Sequence, residues 1–286
     1  MSEHSKIEWC DATWPVVAGC TKVSAGCDNC YAIRDSRRLG GNPNPKISAA
    51  YGGTAAMQNG RLNWTGVVRP LPERLDWPLR WRKPRRIFVC NESDLFHPAV
   101  PADFIDQVFV VMALSERHTF QILTKRPERI NSYVEAIVSN RVRYTHWAAM
   151  GANISRKVGV SNKVPPRWPL PNIWLGVSVE DQETADERIP LLLQTPAAVR
   201  FVSYEPALGP VDFDRLSCHT CLMAFPRTSD KRSMNPCPSC RAKDGESLDT
   251  LHRRWITPMY SNPRLEQIIA GGESGPGARP SHPDWF

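Results

Sequence analysis

Cys20, Cys27 and Cys30 fall within eleven residues, in the run Gly19-Cys20-Thr21-Lys22-Val23-Ser24-Ala25-Gly26-Cys27-Asp28-Asn29-Cys30-Tyr31. Three thiolates can hold three irons of a 4Fe-4S cluster and leave the fourth iron open to a ligand that is not protein. That open iron is where chemistry can occur. A closed zinc site needs a fourth ligand, and the nearest are Cys10 upstream and His4 close to the terminus. A disulfide belongs to an oxidising compartment, whereas Met1-Ser2-Glu3-His4-Ser5-Lys6 carries no apolar signal core. No run approaches eighteen apolar residues, so the expectation is a cytoplasmic chain with no membrane partner.

A second constellation is independent of the first. Cys218-His219-Thr220-Cys221 and Cys237-Pro238-Ser239-Cys240 are separated by fifteen residues, the paired spacing of a tetrahedral zinc site. Four thiols also suit an auxiliary iron-sulfur cluster. The stretch from Leu222 to Pro236 is too polar to build a core, so metal binding would supply the folding energy that burial does not. Arg227, Lys231, Arg232, Arg241 and Lys243 surround the thiols, which suits either a nucleic-acid grip or a brace.

Elements that position such groups are legible as short apolar runs. Ile87–Cys90, Phe120–Leu123, Ile173–Val177, Val199–Val202 and Gln267–Ala270 read as strands, and Thr13–Ala18 as a sixth. Ile105, Val108, Phe109 and Met112 keep helical offsets, as do Ile130, Tyr133, Val134 and Ile137. Pro101 and Pro127 fall near those helices' first turns, where a missing N–H costs least. Strands alternating with helices imply parallel pairing. The reading is an α/β fold, an open (β/α)6-type partial TIM barrel with an inserted zinc-ribbon-like segment. Its active face would lie at the strands' carboxyl ends.

Those ends are polar. They carry the three-cysteine loop, Asn91-Glu92-Ser93-Asp94, Thr124-Lys125-Arg126, Ser178-Val179-Glu180-Asp181, Ser203-Tyr204-Glu205 and Gly271-Gly272-Glu273-Ser274. Each alone could be a helix cap. Together they outline a site. The formal charge of +7, with Arg-rich stretches at Arg34–Arg38, Arg80–Arg86 and Arg253-Arg254, favours a polyanionic partner such as nucleic acid. No Walker sequence, zinc-protease helix or Gly-x-Ser-x-Gly elbow supports a hydrolase or nucleotidase.

The chain resembles a phage-associated three-cysteine-motif family related to radical S-adenosylmethionine enzymes. The resemblance rests on Ile7-Glu8-Trp9, Ala12-Thr13-Trp14, the cysteine run, Ser93–His97, Leu123–Arg129, Trp174–Glu180 and Gly271–Gly277. It covers nearly everything except about Leu216 to Pro263. It implies a 4Fe-4S cluster on Cys20, Cys27 and Cys30, with S-adenosylmethionine on the open iron and reductive cleavage to a 5′-deoxyadenosyl radical. An electron donor and a three-cysteine-motif partner protein are implied as well. The superfamily's Gly-Gly-Glu segment, which holds the methionyl amine, lies here after the last strand. By position the amine then goes to Glu92 or Asp94, and Glu273 remains on the substrate side.

By their chemistry Ser178 and Glu180 suit ribose hydroxyls, and Lys125 and Arg126 a cofactor carboxylate or a phosphate. Glu205 and His97 join Glu273 as candidates for handling protons. Tyr31 and Trp14 are expected to shield the cluster, and Cys90 to be a buried core thiol. The domain reading is a β/α core over residues 1–215, the ribbon-like insert over 216–263, and the last core strand with a shortened carboxyl-terminal flank over 264–286. That short flank is expected to leave an edge strand open and to impair activity. Two functions follow: a radical enzyme acting on nucleic acid or its precursor, in base modification or lesion repair, or a non-catalytic, metal-stabilised nucleic-acid-binding protein.

Overall fold

Runs rich in β-branched and aromatic residues form six parallel strands: Ala12–Trp14, Arg86–Val89, Thr119–Thr124, Ile173–Val179, Val199–Tyr204 and Gln267–Ala270. They lie in one sheet in the order of the sequence, each hydrogen-bonded to the next. This computed structural model describes residues 5, 7–139, 141–160, 168–213, 215–217, 224–226, 265–273 and 278–285. Cys218, Cys221, Cys237 and Cys240, and the zinc reading with them, lie outside the described residues. Strands Arg215–Ser217 and Ala224–Pro226, which flank the first cysteine pair in sequence, are antiparallel partners.

Parallel neighbours need long crossovers, and helices supply most of them. Ala102–Leu114 joins the second strand to the third, Pro127–Ser139 and Arg141–Val158 the third to the fourth, and Gln182–Gln194 the fourth to the fifth. The expected Ile105 and Ile130 helices are therefore present. Pro101 is the N-cap of the first and Pro127 opens the second, both positions that need no donor. Among the described residues no helix is long and apolar enough to cross a membrane.

Strand alternation divides the sheet into two unlike faces. Trp14, Val89, Ile122, Leu175 and Val202 share the main core with Ile105, Phe109, Ile130 and Val134 of the helices. Phe88, Gln121, Gly176, Phe201 and Ser203 occupy the alternate positions. Phe88 and Phe201 are buried yet stand apart from that core, and Trp9 packs against both, with ring centroids 4.6 and 6.2 Å away.

Gly176 makes this inner layer fit. A Cβ there would stand 2.5 Å from the Phe201 ring, so the ring lies across the bare backbone. Gly176→Ala is expected to cost about 1–3 kcal/mol, the usual penalty of overpacking, seen as a lower urea midpoint with unchanged slope. An unchanged midpoint would show that the ring is free to move aside.

The first strand is shorter than expected. Pairing in the parallel sheet stops at Trp14, because Pro15 has no N–H to donate, and Val17–Ala18 pairs antiparallel with Arg69–Pro70 instead. This diversion launches the cysteine loop, helices Tyr31–Gly40 and Pro45–Tyr51, and the hairpin Ala55–Gln58/Arg61–Trp64 before the chain re-enters the sheet. It also corrects the expectation for Trp14. Trp14 belongs to the helix side, fully buried, with its indole N–H on the Arg74 carbonyl at 2.8 Å, and it does not border the cavity that Cys20, Cys27 and Cys30 line.

Candidate functional site

The strands' carboxyl ends open into one cavity of about 810 Å³, bordered by Cys20, Cys27 and Cys30 together with Glu92, Lys125 and Glu205. The cysteine loop forms part of its lining and is fastened by three sets of contacts. Near Cys20, the Arg126 guanidinium donates to the Thr21 carbonyl at 3.1 Å, to Thr21 Oγ1 at 3.0 Å and to Asp94 Oδ2 at 2.7 Å. Burial works against its charge, and the Asp94 and Cys20 partners outweigh that and raise its pKa. Asp94 also accepts from Thr124 Oγ1 at 2.8 and 2.9 Å and from the Phe96 amide at 2.9 Å.

The second fastening is the Glu180 carboxylate, 1% exposed. It accepts from Ser24 Oγ at 2.9 Å, from Arg188 at 3.2 Å through both oxygens, and from the Lys125 ammonium. The loop passes directly over it. A Cβ on Gly26 would stand 2.6 Å from Glu180 Oε1, so only glycine permits this approach.

Glu273 makes the third. It accepts from Asn29 at 2.9 Å, from the Arg279 amide at 2.7 Å and from the Arg279 guanidinium at 2.6 Å, while Arg279 also holds the Ala25 carbonyl at 2.8 Å. The loop that leaves the first strand is thereby tied to the loop that leaves the sixth. Hydrogen bonds from the Arg279 side chain, opposed by burial and reinforced by Asn29, hold the Glu273 carboxyl at about 2 instead of 4.5. Because the folded value is depressed, this clasp adds stability at pH above 4.5 and loses it as the pH falls toward about 2. A carbon-13 titration of Glu273 should show that low midpoint, and Arg279→Met should return it toward 4.5. An ordinary midpoint in the wild type would mean that the clasp does not form.

Several expected site residues are thus committed to the protein itself. Asp94 is saturated by Arg126, Thr124 and Phe96, Glu180 is buried among cations instead of facing a ribose, and Lys125 and Arg126 are held by those two carboxylates. His97 is also structural. Its Nδ1 accepts the Ala99 amide at 3.1 Å, which leaves the proton on Nε2 for Thr21 Oγ1 at 2.9 Å. Burial lowers its pKa and favours that neutral form.

Other residues that border the cavity are less fully engaged. Glu92 Oε2 is buried with no hydrogen-bond partner, as is Asn91 Oδ1. Burial raises the Glu92 pKa, against a hydrogen bond from Tyr51, whose hydroxyl in turn accepts from Arg74 at 3.1 Å. Between Glu92 and Asp94 the open carboxylate is therefore Glu92. Ser178, 5% exposed, borders the cavity. So does Glu205, whose pKa is raised by burial, then lowered by Ser203 Oγ at 3.1 Å and raised again by Glu8. Tyr31 also borders the cavity, with its hydroxyl on the Asn91 carbonyl at 2.6 Å.

Cys20, Cys27 and Cys30 are free thiols. Burial pushes Cys20 up to about 12, with Asp94 adding to it, and also raises Cys30. Cys90, buried and also bordering the cavity, is pushed by burial up to about 12. Among the described residues no group of three His, Cys, Asp or Glu side chains converges on a single ion. A cluster makes a different demand, since each thiolate binds its own iron and the thiols need only face one space.

Sequence reasoning missed Ser24, Arg188, Asn29 and Arg279. Arg188 sits in mid-helix with no signal in its neighbours, and 2% exposure of an arginine is what reveals its role. Compared with known proteins, the chain matches no curated protein and no solved structure. Residues 4–286 match the family described as "Protein of unknown function (DUF5131)", and over that span the chain belongs to it.

Proposed function

We propose that this chain is an iron-sulfur enzyme of the radical S-adenosylmethionine type, built on an open (β/α)6 barrel and acting on nucleic acid or a nucleic-acid precursor. One observation carries the reading: three cysteines and a carboxylate with an orphaned buried oxygen, Glu92, border one cavity at the carboxyl edge of a sequentially ordered parallel sheet. Barrel curvature is supported by the helix cover on one face, by the aromatic layer on the other, and by the Asn29 to Glu273 bond from first to last strand-end loop.

The residues fit the cofactors that the reading needs. Cys20, Cys27 and Cys30 would hold a 4Fe-4S cluster, and the positive irons would offset the burial that raises Cys20 and Cys30. When bound, the reduced cluster supplies one electron that cleaves S-adenosylmethionine to methionine and a 5′-deoxyadenosyl radical. Glu92 Oε2 would accept from the methionyl ammonium, which satisfies its missing hydrogen bond. Ser178 offers a hydroxyl to the ribose. Lys125 and Arg126, steadied by Glu180 and Asp94, hold positive charge beside the loop and suit the methionyl carboxylate. Cys218, Cys221, Cys237 and Cys240 are assigned to zinc by their spacing. A nucleic acid, an electron donor and a three-cysteine-motif protein are the proposed partners.

The test is anaerobic reconstitution, reduction and chromatography. The protein should bind S-adenosylmethionine and release 5′-deoxyadenosine slowly even without substrate, with Glu92→Gln weakening cofactor binding about tenfold, as loss of a charged hydrogen bond does. An intact cluster that neither binds nor cleaves the cofactor would remove the enzyme reading.

A further inference from the structure

Part of the cavity lining is not used by the cofactor reading. It comes from the inner face of the sheet, where Phe88 and Trp9 meet at 4.6 Å, and from Ser203 and Glu205 at the end of the fifth strand. Three properties of this part constrain an occupant. Its floor is a pair of aromatic rings, backed by Phe201 across Gly176. Among the described residues Ser203 Oγ donates to Glu205 Oε2 at 3.1 Å, and Glu205 Oε1 lies close to Gly271, where an added Cβ would stand 2.6 Å from it. Glu8 also borders the cavity and acts electrostatically on Glu205, so two carboxyl groups influence each other here.

We propose that Trp9, Phe88, Ser203 and Glu205 form a substrate subsite for a guanine base, stacked on Trp9 with its N1–H and N2 amino group directed to the Glu205 carboxylate. This rests on the enzyme reading only for the chemistry that follows binding. An aromatic floor selects a flat ring, since every base has a face to stack. A carboxylate accepts two parallel donors side by side, an arrangement that guanine offers on its Watson–Crick edge and adenine does not. The net charge of +7 favours a polyanion that carries such a ring over a free cation. A base reaches a cavity at the strand ends only when it is out of a duplex stack, so the ligand is single-stranded or flipped.

The probes are three short single-stranded oligonucleotides of one sequence, with guanine, hypoxanthine or adenine at a central position, titrated by fluorescence anisotropy onto the full chain. The guanine oligonucleotide should bind about tenfold more tightly than the other two, because hypoxanthine lacks the 2-amino donor. Glu205→Gln should abolish that preference, since an amide oxygen replaces only one of the two acceptors. Trp9→Leu should weaken all three by about tenfold and keep the preference, which tests the floor even if the Glu205 variant fails to fold. Equal affinities in the wild type, or a guanine preference that survives Glu205→Gln, overturns the subsite. Cofactor cleavage without guanine preference overturns the subsite and leaves the enzyme reading standing. Guanine preference without cofactor cleavage overturns the enzyme reading and supports the subsite.

Discussion

Replacement of Cys20, Cys27 and Cys30 together by alanine is expected to remove about four irons per chain, with their sulfides, from the anaerobically reconstituted protein. The effect should be close to complete because three thiols offer no redundancy: with none present, the loop has no iron ligand of comparable softness. Cys90 borders the same cavity, but it is packed into the main core at 2% exposure, so it is a poor substitute. The comparison must be made as a difference, with Cys218, Cys221, Cys237 and Cys240 left intact in both proteins. Iron held there then cancels. The fold should survive, since the loop is fastened through Thr21, Ser24 and Asn29 and not through the thiols. Iron and sulfide content equal to the wild type would refute the cluster assignment.

The second large effect is at Glu180. Its carboxylate is the shared counter-ion of Lys125 and Arg188, and the two side chains in the deeper pair are 3% and 1% exposed. Removing one partner of such a pair leaves the other charge buried and uncompensated, so Glu180→Ala is expected to destabilise the chain by about 3–5 kcal/mol. Denaturation in urea measures it. The same change made on an Arg188→Leu background should cost less, because the stranded cation is gone, and the difference is the coupling energy of the pair. Iron loading should fall with stability in Glu180→Ala, since Ser24 and Gly26 lie directly on that carboxylate. A loss below about 1 kcal/mol, the size of an exposed pair, would show that water reaches the network and screens it.

Local pattern is legible in the order of residues alone. Short runs such as Ile173–Val177 and Gln267–Ala270 are strands wherever they pack, because β-branched side chains suit a pleated surface and polar or glycine residues end them. Their alternation with helical runs determined parallel pairing, and with it the edge where the polar residues collect. The spacing of Cys20, Cys27 and Cys30 was equally plain.

Tertiary structure alone decided which of those polar residues remain open. Glu92 and Asp94 are two apart on one loop and alike in type, yet Asp94 is saturated by Thr124, Phe96 and Arg126 while Glu92 keeps an orphaned oxygen. Glu180 looked like a ligand-binding acid until Arg188 and Lys125 closed on it. Trp14 took the helix side and left the inner layer to Trp9, Phe88 and Phe201. The reason is common to all three cases. Propensity and periodicity act between near neighbours in the chain, whereas hydrogen-bond saturation and ion pairing depend on partners far away in it, such as Asn29 and Glu273, that only the folded sheet brings together.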